Sequence, residues 1–132
     1  MRKWALLASL NGFLAVLAGA FATHGLKDKV TEYELGLFEM AAQYQMYHAL
    51  ALFAAAWASA QGAHNPRVKM LAELGGWAFL TGIVLFSGSL YLLGALDWRG
   101  AVLATPIGGT AFLVGWLALL GSAWQFGPDK PA

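Results

Sequence analysis

The sequence contains no cysteine and few charged residues, and both absences narrow what the protein can do. Without cysteine it forms no disulfide, uses no thiolate chemistry and binds no metal through sulfur. Charged residues make up 11% of the chain, whereas an ordinary soluble domain has about 25%. The net charge of +1 provides no basic surface, so we expect no nucleic-acid partner.

Patterns that mark catalytic or metal sites are also missing. The chain has no Ser-His-Asp arrangement, no paired buried carboxylates and no nucleotide-binding fingerprint. His24, His48 and His64 show no HxxxH or HxxE spacing for a metal ion. A haem between His24 and His48 is disfavoured, because His48 would lie about 12 Å deeper in the membrane. We therefore predict that the protein is not an enzyme and has no cofactor or metal.

Long apolar stretches dominate the 132 residues, of which 59% are hydrophobic. Four stretches have no charged residue and reach the length of about 20 residues that a membrane crossing needs. They are Trp4–Ala22, Met40–Ala60, Leu74–Leu96 and Gly100–Phe126. We predict a single all-α domain over residues 1–132, a polytopic membrane protein whose four transmembrane helices form a bundle with short loops. The predicted helices cover about 4–24, 32–60, 71–95 and 106–125.

Local signals predict where these helices begin and end. Gly25 fits the left-handed position that follows a helix C-terminus. Thr31 and Glu34 have the spacing of a capping box at the start of helix 2. Thr105 is predicted to cap helix 4, with Pro106 at its first position, where no N–H partner is lost.

The distribution of Lys and Arg predicts the orientation in the membrane. Arg2-Lys3 and the small residues near position 20 also fit a signal peptide, but we expect this stretch to remain as helix 1. With both termini inside, five basic residues lie inside and three outside, which favours this orientation. The inside set is Arg2, Lys3, Arg67, Lys69 and Lys130, and the outside set is Lys27, Lys29 and Arg99.

A dense polar cluster precedes the apolar part of helix 2. Its members carry hydrogen-bonding side chains close to one end of the predicted bundle: His24, Glu39, Gln43, Tyr44, Gln45, Tyr47 and His48. At 100° per residue, most of those on helix 2 face one broad side, and in hydrocarbon they need partners from other helices. We expect His24 to form a hydrogen bond with Glu39 or Gln43.

Two interpretations of His48 stay open. A buried neutral imidazole could tie helices together through hydrogen bonds, or the residue could relay protons or bind a ligand. A dry, fully hydrogen-bonded surrounding favours the first, and a polar cavity connected to solvent favours the second. Asn11 is expected to bond to another helix, whereas Ser87 and Ser89 are expected to bond carbonyls four residues earlier in their own helix.

Four segments resemble, in order, the motifs of the domain-of-unknown-function 423 family. They are AGAFATHGLK, AAQYQMYHALAL, SGSLYLLG and TPIGGTAFLVGW. The resemblance covers about Ala8 to Trp116 and departs at Ala22-Thr23, where Gly-Ala is expected. The family includes small bacterial inner-membrane proteins and the eukaryotic transmembrane protein 256. It implies a compact four-helix membrane fold and supplies no activity. The motif positions are His24, Gly25, Tyr44, Gln45, His48, Ser89, Tyr91, Thr105, Pro106, Gly108 and Gly109.

Two functional hypotheses follow from these observations. The short loops cannot house a soluble catalytic domain, so the function lies within the bilayer or on its surface. The leading hypothesis is a non-enzymatic accessory or scaffold component, which packs against itself or a larger complex in a bacterial inner membrane. The alternative is a protein that handles a ligand, a lipid, ions or protons through Gln43, Tyr44 and His48 together with His24.

Overall fold

The computed structural model describes residues 1–126, and within them the chain forms helices and no strand. The α-helices are α1 (Arg2–Phe21), α2 (Glu32–Gln61), α3 (Pro66–Gly82), α4 (Gly88–Leu96) and α5 (Ala104–Trp124). A π turn at Ile83–Ser87 joins α3 and α4 into one continuous rod. The predicted all-α bundle of four rods is confirmed. Lys130, used for the predicted orientation, lies outside the described residues.

Three of the four rods are long and apolar enough to cross a membrane, namely Arg2–Leu26, Pro66–Leu96 and Arg99–Trp124. The more polar α2 packs along α1, α3 and α4. α5 packs against α3. Residues 1–3 and the turn at 62–65 lie at what we call the N-terminal end of the bundle. The loops at 27–31 and 97–103 lie at the opposite end.

Two predicted helix ends at the first connection have different outcomes. The capping box is confirmed, because the Glu34 N–H donates to Thr31 Oγ1 over 3.2 Å and the Thr31 N–H donates to Glu34 Oε2 over 2.8 Å. The left-handed role of Gly25 is wrong. The chain continues past Phe21 as a π turn, Ala22–Leu26, and the residue with positive φ is Asp28, at 67°.

The starts predicted for the last two rods are also corrected. α3 begins at Pro66 rather than near residue 71, because Asn65 Oδ1 accepts the Arg67 N–H over 3.1 Å and caps the helix. α5 begins at Ala104, with no side-chain cap, because a 3-10 turn at Arg99–Ala101 already brings the chain into helical geometry. Thr105 therefore has its hydroxyl free for another partner.

α3 and α5 approach closely by placing phenylalanine rings over glycines. A Cβ atom on Gly115 would lie 2.6 Å from the ring of Phe79, so only glycine fits there. The arrangement is repeated in reverse where the ring of Phe112 lies against Gly82. Small residues let membrane helices approach in this way, and dispersion contacts then hold them together. This packing holds α3 and α5 together as one surface, against which polar side chains of α2 pack.

Candidate functional site

Gln45 of α2 joins three rods through its side-chain amide. Its Nε2 donates to Asn11 Oδ1 of α1 over 3.0 Å, and its Oε1 accepts the Tyr91 hydroxyl of α4 over 2.6 Å. Asn11 in turn donates to the Leu7 carbonyl over 2.9 Å. Gln45 and Asn11 are both buried. The predicted bond from Asn11 to another helix is confirmed, and the network knits α1, α2 and α4 at mid-bundle.

His48, one turn further along α2, is bonded at both ring nitrogens. Nδ1 lies 2.7 Å from the Tyr44 carbonyl oxygen, and Nε2 lies 3.2 Å from the indole nitrogen of Trp116 on α5. A carbonyl only accepts and an indole N–H only donates, so these partners fit the neutral imidazole with its proton on Nδ1. The ring stacks on Phe112 with centroids 3.5 Å apart, and only 4% of the residue is exposed.

A third polar group lies at the N-terminal end, around Glu73 of α3. Its Oε1 accepts the Trp4 indole N–H over 3.0 Å and the Ser59 hydroxyl over 3.1 Å. Its Oε2 pairs with the ammonium group of Lys3, which also lies 4.7 Å from the centroid of the Trp4 ring. One carboxylate thus connects α1, α2 and α3 where the chain enters the bundle.

The motif positions on the last two rods have packing roles. Ser89 and Thr105 place their hydroxyl oxygens 2.6 Å apart, which links α4 to α5. Gly108 faces the backbone of Phe86, where a Cβ atom would collide, while Gly109 has ordinary space. Pro106 lies exposed in the first turn of α5.

The two serines of the π-turn region depart from the prediction of bonds to carbonyls four residues earlier. Ser89 donates to Phe86 O, three residues earlier, over 2.8 Å. Ser87 Oγ is fully buried and has no hydrogen-bond partner. A π turn changes the register of the carbonyl groups, which accounts for the shift at Ser89.

The predicted cluster at the start of α2 does not face one buried side. Within residues 1–126, no hydrogen bond joins His24 to Glu39 or Gln43, so that predicted contact is wrong. All three residues are exposed, as is Tyr47. Tyr44 is partly covered by Phe86, whose ring centroid lies 4.7 Å away.

The rotation of α2 about its own axis explains why some of its polar side chains are buried and others are exposed. Its buried side is a stripe of small residues spaced three and four apart, into which Gln45 and His48 fall: Ala41, Ala42, Gln45, His48, Ala49, Leu52, Ala55 and Ala56. Glu39 and Gln43 lie beside that stripe and line a shallow cleft with Ala15 and Gly19 of α1. The angular clustering of polar residues was predicted, but the rotation of the helix about its axis was not.

Two larger cavities open on the bundle surface. The Tyr91 groove, of about 620 Å³, lies between α1, α2 and α4 and is apolar except for Gln45 and Tyr91. The Arg99 pocket, of about 760 Å³, lies at the opposite end between the starts of α2 and α5 and the end of α4. Neither cavity is lined by His48. Among residues 1–126, no three His, Asp or Glu side chains are placed to hold a metal ion.

Comparison with known proteins places this sequence in a family. Residues 18–109 match the family described as protein of unknown function DUF423. The chain belongs to this family. Its relatives include a UPF0382 membrane protein of Staphylococcus aureus (strain bovine RF122 / ET3-1), 37% identical over 96% of this chain and 98% of the relative. The UPF0382 membrane protein YwdK of Bacillus subtilis (strain 168) is 38% identical over 96% and 99%.

A relative from another bacterial genus has a similar identity. The UPF0382 membrane protein of Haemophilus influenzae (strain ATCC 51907 / DSM 11121 / KW20 / Rd) is 40% identical over 89% of this chain and 90% of the relative. No solved structure matches the chain. This chain is therefore a small membrane protein of the DUF423 family, and its activity is not established.

Sequence reasoning missed two important partners, Glu73 and Trp116. Glu73 is the one carboxylate in the rod Pro66–Leu96, which is long and apolar enough to cross a membrane. Its signal was its placement at the same level as Lys3, because both lie at the N-terminal end. Trp116 ends the fourth family motif, TPIGGTAFLVGW, but nothing in the sequence indicated that its indole would bond to His48.

Proposed function

We propose that this protein is a non-enzymatic accessory or scaffold component of a bacterial plasma membrane, which packs against a larger membrane complex or a second copy of itself. The arrangement of His48 carries the proposal. Both of its ring nitrogens are bonded within the bundle, and the ring is buried against Phe112. A group held in one protonation state by two fixed partners ties helices together more readily than it relays protons.

The Gln45 network supports the same proposal. The oxygen of Gln45 accepts from Tyr91 and its nitrogen donates to Asn11, so these groups satisfy one another between rods. Polar side chains used in this way stabilise the bundle, because they spend their hydrogen bonds on one another rather than on a substrate. The remaining surface of α1 and α5 is apolar and exposed, and it can face lipid or another membrane helix.

Orientation in the membrane is part of the proposal. An excess of Lys and Arg at the N-terminal end favours a cytoplasmic location for that end, which would place both termini inside. The opposite end, which carries fewer basic residues, would then face outward.

The test is photo-crosslinking in living cells. A photoreactive phenylalanine is placed at Leu6 or Val16 on α1 and at Leu113 or Leu117 on α5, all of which are exposed. The same group at the buried Leu52 is the control. We expect at least one exposed position to give a protein adduct of defined mass, identified by native mass spectrometry. Adducts with lipid alone at all four exposed positions would refute an accessory role.

The Tyr91 groove favours a second candidate function, the handling of an apolar or amphipathic small molecule. Its walls include Leu14, Leu17 and Phe38, and its polar lining residues are Gln45 and Tyr91, which are bonded to each other. Tyr91→Phe removes the hydroxyl and leaves the ring. A small-molecule adduct that is retained by the wild type and lost from Tyr91→Phe would favour this function over the accessory role.

A further inference from the structure

The Arg99 pocket changes from apolar to charged along the axis of the bundle. Its inner part is lined by Leu37 and Leu90, which lie inside α2 and α4, and its rim carries Glu34, Asp97 and Arg99, which lie at the start of α2 and in the loop at 97–103. Leu90 lies seven residues before Asp97, about 10 Å at 1.5 Å per residue. The volume of about 760 Å³ falls within the range of about 300–1,000 Å³ that is usual for small-molecule pockets.

This change in polarity falls where the bilayer makes the same change. Glu73 marks one boundary of the hydrocarbon, since it pairs with Lys3 at the N-terminal end. About 20 residues cross the hydrocarbon core, which puts the other boundary near Leu93 on the same rod. The inner part of the pocket therefore lies at the depth of acyl chains, and the rim lies at the depth of lipid head groups.

The rim carries both signs of charge in positions open to a ligand. Arg99 Nε lies 3.3 Å from Asp97 Oδ1, and the two side chains are 82% and 57% exposed. An exposed pair of this kind is weak, so it does not prevent the guanidinium from binding a phosphate, for which its planar donors are suited. Glu34 uses only Oε2 for the capping box, which leaves Oε1 to accept a bond.

We propose that the Arg99 pocket binds a phospholipid whose head group carries a phosphate and a terminal ammonium, with phosphatidylethanolamine as the probe. Arg99 contacts the phosphate, Asp97 and Glu34 face the ammonium, and the upper part of an acyl chain lies against Leu37 and Leu90. Phosphatidylglycerol offers Arg99 the same phosphate but presents no ammonium to Asp97 and Glu34, so the mixed rim favours the zwitterionic head.

The experiment is native mass spectrometry of the full chain in mild detergent. It is titrated with phosphatidylethanolamine and, separately, with phosphatidylglycerol of the same acyl chains. We expect one phosphatidylethanolamine to be retained at concentrations where phosphatidylglycerol is not. Arg99→Ala should raise the Kd for phosphatidylethanolamine about tenfold, the size expected for loss of a charge-assisted bond. Arg67→Ala, at the N-terminal end, should leave it unchanged.

A second variant tests the ammonium side of the pocket. Asp97 has a φ of 47°, which asparagine also tolerates, so Asp97→Asn keeps the backbone and removes one charge. It should lower the preference for phosphatidylethanolamine over phosphatidylglycerol. Equal retention of the two lipids by the wild type, or an unchanged Kd in Arg99→Ala, would overturn the proposal. Loss of binding in Tyr91→Phe but not in Arg99→Ala would assign the lipid to the Tyr91 groove instead.

Discussion

Trp116 donates its indole N–H to Nε2 of His48 over 3.2 Å, and this bond joins α5 to α2 in the middle of the bundle. The other nitrogen of the ring lies 2.7 Å from Tyr44 O. The central histidine of the sequence is therefore held by one contact within its own helix and one contact to another rod. The second contact can be measured separately, because it is a pairwise interaction between two replaceable side chains.

A double-mutant cycle should detect the bond between His48 and Trp116. Trp116→Phe keeps an aromatic ring and removes the donor, and His48→Leu removes the acceptor. Each single variant should lower the free energy of unfolding, and the pair should show a coupling of about 0.6 kcal/mol, the average for such bonds in membrane bundles, and no more than about 1.7 kcal/mol. Unfolding in mixed detergent micelles, followed by circular dichroism, gives these values.

The control for this cycle is Trp124→Phe combined with His48→Leu. Trp124 is 84% exposed, so its replacement should show no coupling to position 48. A coupling near zero for Trp116 as well would show that the bond contributes nothing to stability, and the support for a structural His48 would be lost.

Gln45→Leu should lower the free energy of unfolding by about 1–3 kcal/mol, because it leaves Oδ1 of the buried Asn11 side chain and the Tyr91 hydroxyl without partners. The matched control is Gln43→Leu, which makes the same chemical change two residues earlier at an exposed position. That variant should change the free energy of unfolding by no more than about 0.5 kcal/mol. Equal effects of the two variants would contradict the network.

Glu73→Leu should lower the free energy of unfolding by about 2–3 kcal/mol, because Trp4 and Ser59 lose a charged acceptor. Glu73→Gln keeps an acceptor and loses only the pair with Lys3, whose side chain is 50% exposed. Such a pair is worth about 0–1 kcal/mol, so most of the stability should return. Glu39→Leu, at an exposed carboxylate, is the control. Failure of glutamine to restore stability would show that the ion pair, rather than the two hydrogen bonds, is the important contact.

Glycine-to-alanine replacements should separate packed from open positions. Gly108→Ala should impair folding, because the new Cβ atom would collide with the backbone of Phe86, which cannot move aside as a side chain can. Gly12→Ala and Gly19→Ala have nothing within 4 Å of the added atom and should leave stability unchanged. The yield of folded protein and its thermal transition in detergent measure both effects. An unchanged transition in Gly108→Ala would contradict the close approach of the two rods.

The absence of cysteine makes the orientation directly measurable. Lys29→Cys and Ala63→Cys place single thiols in the two connections at opposite ends of the bundle, and both positions are exposed. With the termini inside, a membrane-impermeant maleimide applied to intact cells should label position 29 and not position 63. Position 63 should become labelled only after the cells are lysed. The reverse pattern would place the termini outside and would move the Arg99 pocket to the cytoplasmic leaflet.

The sequence predicted those features that depend on neighbouring residues. The number and approximate position of the rods follow from runs of apolar residues. The capping box of Thr31 and Glu34 follows from a spacing of three residues, which any helix start brings together. The family follows from the order of four local motifs. Signals of this kind can be read from the sequence because the interacting residues are only a few peptide bonds apart.

Tertiary structure decided which polar side chains meet. Gln45 and His48 are buried while Gln43 and Tyr47 are exposed, although all four lie within six consecutive residues. Their spacing on a helical wheel gives their directions relative to one another, but the rotation of α2 is set by small residues that pack against its neighbours. The packing of the rods likewise brings Glu73 into contact with Lys3 and Trp4. It also places Thr105 against Ser89, so that Thr105 does not cap its own helix. Contacts between rods depend on how whole surfaces fit, and no short stretch of sequence contains that information.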